Sequence, residues 1–140
     1  MPPSQPASRV YFEDVLTGVP LETPAMTLTE AHAALFAALT TSRPGEPGTI
    51  PDLLPLCLSS GLGWRVPQPP LVVLAFMGFD WRFLKPTHVG DTIRSVSKTV
   101  AKRSMKEGGV VVEERSILNQ HGEVVQSGRL TLLVAKRPAA

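Results

Sequence analysis

What most constrains this chain is a change of period after residue 70. Up to Gly63 the sequence carries Ala- and Leu-rich stretches with helical spacing; from Leu71 to Val134 it carries long β-branched and aromatic runs broken by short glycine turns. Leu71 to Phe76 and Phe79 to Leu84 read as strand, with a bulge or bend at Met77-Gly78. Thr92 to Arg103, Val110 to Leu118 and Glu123 to Val134 read as three more strands. They are joined by turns at Lys106-Glu107-Gly108-Gly109 and Gln120-His121-Gly122. Links that short make antiparallel neighbours. Helical material early and an antiparallel meander late define an α+β fold.

The earlier half has its own punctuation. Met1 to Arg9 reads as a mobile tail and residues 10–140 as a single domain. Val10 to Val15 is expected to pack as a short turn or 3₁₀ segment. Leu21 to Leu28 is strand-like but interrupted by Pro24, which suits an edge strand. Thr29 is placed to cap a helix running to about Thr40. Residues 41–49, with Pro44, Gly45, Pro47 and Gly48, cannot be regular structure. A second helix is expected over 52–63, with Leu54, Leu58 and Leu62 on one face. Ser59, Ser60, Gly61 and Gly63 would let other backbone approach it closely.

Composition narrows the class. A chain of 140 residues supports one domain with a real core. Its net charge of +2 implies no nucleic-acid partner, since no basic stripe is interleaved with aromatics. The single cysteine, Cys57, excludes an internal disulfide; lying among leucines, it reads as a buried small hydrophobe. No apolar run is long enough to span a membrane, and nothing at the start resembles a signal peptide. A cytoplasmic location is expected.

The segment Phe83-Leu84-Lys85-Pro86-Thr87-His88-Val89-Gly90-Asp91-Thr92-Ile93 carries a family resemblance. So do Tyr11-Phe12-Glu13-Asp14, the helix from Thr29 to Thr40, and the hairpin Asn119-Gln120-His121-Gly122-Glu123-Val124-Val125. Over about residues 10–137 the chain resembles the MaoC-like (R)-specific enoyl-thioester hydratases of the hotdog superfamily. The resemblance implies a central helix wrapped by a curved antiparallel sheet. It also implies pairing into a homodimer, or into a heterodimer with a related subunit. The implied ligand is an acyl thioester of coenzyme A or acyl carrier protein, with no cofactor and no metal.

Members of that family use an Asp and a His on one loop to hold and deprotonate water, and helix-start N–H groups to polarise the thioester carbonyl. Here Ser42 stands where the Asp is expected, and the loop through Pro44, Gly45, Glu46, Pro47 and Gly48 has no His. Where the family shows Ile-Ala-His-Gly entering the central helix, this chain reads Ile50-Pro51-Asp52-Leu53. The standard dyad is therefore missing, while the Leu53 N–H would survive as a carbonyl ligand. Asp52 has two readings: a base that activates water, as in a thioesterase, or a cap of the helix start with Thr49 as partner. Glu46 is a weaker acid candidate.

Trp81 and Arg82 are expected to line the pocket mouth, and Gly128 to admit a helix or ligand at mid-strand. Lys98, Lys102, Arg103 and Lys106 crowd one strand end, either as a coenzyme A phosphate site or as a solvated face. His32, His88 and His121 have no metal-site spacing. Three functions follow: a divergent hydratase or dehydratase, a non-catalytic subunit pairing with an active homologue, and a thioesterase using Asp52 or Glu46.

Overall fold

The computed structural model describes residues 9–41, 43 and 45–139. The four long strands form as β3 (Val73–Phe83), β4 (Thr92–Met105), β5 (Gly108–Leu118) and β6 (Val124–Val134). All pair antiparallel. Two short strands, β1 (Leu21–Glu22) and β2 (Met26–Thr27), flank Pro24 and both pair with β4. A residue with no N–H cannot continue the ladder, so the edge splits there. The sheet runs β1-β4-β5-β6-β3, with β2 also beside β4. β3 is thus the far edge. Its register slips between Phe76 and Gly78, where Met77-Gly78 predicts a bulge, and again between Val73 and Ala75.

Helix α1 spans Glu30–Thr40 and helix α2 spans Leu53–Gly63. Thr29 caps α1: its hydroxyl accepts from the His32 N–H, while its own N–H donates to His32 Nδ1 at 2.9 Å. The helix stops at Thr41, which sits in the left-handed region at φ 51°. That conformation favours glycine, so a threonine there holds local strain. α2 packs against β4 and β5 and buries Leu54, Pro55, Ser59 and Leu62. Pro55 falls in its first turn, where a missing N–H is harmless.

One buried cluster joins Leu28, Ile50, Leu54, Ile93, Ile117 and Val125, with Trp81 and Leu58 packed against it. A second joins Phe12, Val15, Val111 and Val134. The 3₁₀ turn Phe12–Asp14 brings Phe12 onto Gly109, where an added Cβ would meet the ring within 2.5 Å. Gly109 is therefore strand rather than turn. The turn narrows to Lys106-Glu107, followed by Gly108 at φ 141°.

Three expectations fail on contact geometry. Cys57 is exposed, because the buried face of α2 runs through Leu54, Ser59 and Leu62 instead. A Cβ added at Gly61 or Gly63 would meet nothing within 4 Å, so no backbone closes on them. The basic cluster is divided: Lys102, though exposed, is tied down by donating to the carbonyls of Phe12 and Val15, at 3.1 and 3.0 Å, and lies 4.8 Å from the Phe12 ring centre. Among the described residues no helix is long and apolar enough to cross a membrane.

Candidate functional site at the start of helix α2

Strand alternation sets the site. On β6, Gln126, Gly128, Leu130, Leu132 and Val134 share one face, and Val134 and Leu130 on it are buried. Gln126 on the same face is 1% exposed, and a buried amide needs partners. It has two. Trp81 Nε1–H donates to Gln126 Oε1 at 3.0 Å, and Gln126 Nε2–H donates to the Asp52 carbonyl at 2.8 Å. An indole can only donate and a carbonyl can only accept, so the amide has one allowed orientation. The chain Trp81–Gln126–Asp52 pins the start of α2 to the sheet.

The segment leading into α2 is braced from the Gly90-Asp91 turn. The Ile50 N–H donates to the Thr87 carbonyl at 3.0 Å, and the Val89 N–H to the Gly48 carbonyl at 2.8 Å. Asp91 holds that turn, accepting from the His88 N–H at 2.8 Å and from Gln120 Nε2 at 3.0 Å. Partial burial pushes the Asp91 carboxyl up, but the hydrogen bonds from Gln120 and His88, aided by the nearby His88 and His121 rings, bring it below its ordinary value.

Asp52 is the residue preceding α2, and its side chain makes no capping hydrogen bond. Its own backbone is helical, at φ −55° and ψ −38°, whereas a capping residue is normally extended. The supposed partner Thr49 donates instead to the Glu46 carbonyl at 2.6 Å. The capping-box reading therefore fails, and the Asp52 carboxylate is an exposed acid at a helix start. Leu53 beside it is 50% exposed. Ser42 lies outside the described residues.

The other sequence candidates scatter around this point. Trp81 is half-buried over the core, while the next residue, Arg82, is on the opposite face and exposed. Gly128 pairs with Trp81. An added Cβ there would lie 2.0 Å from the Asp80 carbonyl oxygen and 2.7 Å from Trp81 Cε3. The element that needs Gly128 is β3 and its tryptophan, rather than a helix or ligand. Among the described residues no group of three His, Cys, Asp or Glu side chains is placed to hold a metal.

A second polar constellation sits toward the other end of α2. Gly109, Val111, Glu113, Arg115 and Ile117 alternate along one face of β5, so Glu113 and Arg115 occupy the core-facing register. Arg115 donates from Nε and Nη2 to Glu113 Oε1, at 2.9 and 2.7 Å, and from Nη1 to the Ser59 hydroxyl at 3.2 Å. Neither this pair nor Gln126 is singled out by motif reading. The signal that finds them is a charged or amide residue at an inward position of an alternating strand.

A helix laid on one antiparallel sheet, with its start pinned by that sheet, is the hotdog fold, in the α+β class. No family model matches the chain. Its solved neighbours include the monoamine oxidase regulatory protein of Archaeoglobus fulgidus, at TM-score 0.85 and 28% identity, covering 93% of this chain and 97% of that one. A MaoC-like dehydratase from Rhodospirillum rubrum matches at TM-score 0.78 and 20% identity, covering 93% and 99%. A Mycobacterium tuberculosis protein with a double hotdog fold matches at 0.75 and 21%, covering 94% and 46%. In sequence, a mesaconyl-CoA hydratase of Cereibacter sphaeroides is 37% identical over 81 residues, 56% of this chain and 24% of that protein. The match thus spans about a quarter of the curated relative. The chain has the hotdog fold, its structural neighbours include MaoC-like dehydratases and (R)-hydratases, and its curated sequence match is to a mesaconyl-CoA hydratase.

Proposed function

We propose that this protein binds an acyl thioester, of coenzyme A or acyl carrier protein, at the start of α2, and that it lacks the Asp/His pair of its hydratase relatives. The observation that carries this reading is the pinned helix start. Gln126 fixes the Asp52 carbonyl, and the adjoining Leu53 N–H lies beside a half-exposed side chain, while the Leu54 N–H is taken by the Pro51 carbonyl at 3.0 Å. Helix-start N–H groups suit a carbonyl oxygen that gains negative charge. The likeness to a mesaconyl-CoA hydratase supports a thioester as the ligand class. Serine at position 42 cannot serve as a general base at neutral pH, and no histidine lies in the loop between Thr41 and Thr49.

A protein of this kind works as a dimer, of two copies or with a related hotdog subunit that supplies the missing dyad. β3 supports this: it is an edge strand whose Leu74, Phe76, Met77 and Phe79 are all more than half exposed. An edge that long and apolar calls for a partner. A second reading, thioester hydrolysis by Asp52, has one observation in its favour: the carboxylate is exposed and makes no capping bond.

The test is crotonyl-CoA with the purified protein, followed by enoyl absorbance and by calorimetry. Binding with hydration far below ordinary enzyme rates of about 1–10³ s⁻¹ is expected. Hydration at those rates would overturn the loss of the dyad; no binding at millimolar ligand would overturn the thioester site.

A further inference from the structure

The face of the sheet turned away from α2 carries an order that no local motif shows. Register sets Lys98 on β4 beside Glu114 on β5, Glu114 beside Arg129 on β6, and Arg129 beside Asp80 on β3. One row across four strands therefore reads plus, minus, plus, minus. Glu113 and Arg115 hold the core-facing register of β5, so Glu114 between them, and its row, face outward. Gly78, Asp80, Val112, Arg129 and Thr131 line one shallow depression on this face.

The row is only partly satisfied within one chain. Arg129 Nη2 stands 3.8 Å from Glu114 Oε2, with the two side chains 60% and 43% exposed. Among the described residues the end charges, Lys98 and Asp80, are exposed and make no ion pair. The flanking rows carry little charge. On one side come Ala101, Val112, Thr131 and Gly78, then Arg103, Val110, Leu133 and Ala75. On the other side lie Val96, Ser116, Ser127 and Arg82.

This order complements itself under one symmetry. A second copy can be laid on the face about a two-fold axis running along the strands, between β5 and β6. Lys98 then meets the second copy's Asp80, and Glu114 its Arg129, with each contact made twice. In the flanking rows Val110 meets Leu133, Val112 meets Thr131 and Ser116 meets Ser127. Arg82 and Arg103 meet Val96 and Ala75, so no like charges face each other. An axis along the charged row would instead set every charge against its own copy, which electrostatics disfavours. Strands kept nearly aligned are also the common way for two sheets to pack face to face.

We propose that the outer face of the sheet, centred on β5 and β6, pairs with a second copy of this chain, Lys98 of each lying on Asp80 of the other. Four strands by four rows cover about 500 Å² a side and about 1,000 Å² in all, the lower limit for a specific interface. The contact is therefore weak and depends on concentration. It uses a different surface from the β3 edge and is independent of the thioester reading. Where β3 already joins two chains, the outer face joins those pairs.

The test is sedimentation velocity of the full chain at low salt, up to submillimolar concentration. The wild type is expected to gain mass as concentration rises. Lys98→Glu and Asp80→Lys each create two like-charge contacts, and each should weaken that step about tenfold or more. Both side chains are exposed, so folding is not at stake. Mixed one to one, the two variants restore opposite charges at every contact, and the mixture should associate about as tightly as wild type. Lys98 lies three strands from the β3 edge, so this rescue does not arise from edge pairing. A wild type that gains no mass would overturn the proposal. So would single variants that associate like wild type, or a mixture no heavier than its components.

Discussion

The two ends of α2 are fastened to the sheet by different chemistry. At the start, an uncharged chain of Trp81, Gln126 and the Asp52 carbonyl does it, with every polar atom used. Toward the end, the charged Arg115 reaches Ser59 and Ser60 across an open cleft, at 3.2 and 3.4 Å, with capacity left over. A saturated contact positions backbone; an unsaturated one leaves hydrogen-bonding capacity facing the cleft. The saturated end is where the fold needs fixed geometry, since helix-start N–H groups act on a carbonyl only if their direction is held.

The largest expected effect strikes the saturated end. Gly128→Val would drive a side chain into the Asp80 carbonyl and the Trp81 ring, prising β3 from β6. A loss of about 3 kcal/mol or more is expected from such overpacking, read as the urea midpoint. A wild-type midpoint would mean that β3 can shift without cost and that the Trp81 anchor is soft.

Next in size is a direct contrast. Gln126→Leu leaves a buried indole N–H and a helix-start carbonyl without partners, and should cost about 2–4 kcal/mol. Arg115→Met removes bonds at the edge of an open cleft, where the 19% exposed Glu113 side chain keeps some access to solvent, so about 1–2 kcal/mol is expected. Equal losses in chemical denaturation would erase the distinction between the two ends.

Local pattern carried the elements well. α2 at Leu53–Gly63, the bulge at Met77-Gly78, the split at Pro24 and the cap at Thr29 all follow from chemistry within a few residues. What pattern could not supply is pairing across the sheet. Gly128 reads as room for a ligand until its register partner is known to be Trp81. Lys102 reads as a free surface charge until the Phe12 and Val15 carbonyls are seen to accept from it. Asp52 reads as a cap because the residue type is right, but its helical φ and ψ place the carboxylate away from the N–H groups. Glu113, Arg115 and Gln126 were visible in principle, as polar residues on inward strand positions.

A smaller effect separates the ends by pH. Asp91 braces the approach to α2, and its folded pKa lies below its ordinary value, near 3.9 for a free Asp. A depressed carboxyl contributes stability fully above the unfolded value and loses it as pH falls through the folded one. Asp91→Asn should therefore melt below wild type at pH 7, and the two should converge as pH falls below about 4. A constant gap at all pH would show that Asp91 acts through shape alone. Faster hydrogen exchange at Ile50 and Val89 than at Leu62 should accompany the acid change, because the first two rely on the Asp91 turn.

The smallest effect on stability is expected at Asp52, where it also separates the two functional readings. Its carboxylate makes no capping bond and is exposed, so Asp52→Asn should move stability by no more than about 0.5 kcal/mol. The Gln126 bond falls on the Asp52 carbonyl, which the substitution keeps, so the helix start stays pinned. Thioester binding through the Leu53 N–H should persist for the same reason. If the site binds without hydrolysing, any residual turnover of an acyl-CoA is unchanged in Asp52→Asn, since Asn differs only in losing the base. A loss of about 10²-fold or more in turnover, with binding and melting temperature kept, would make Asp52 the general base and the protein a thioesterase.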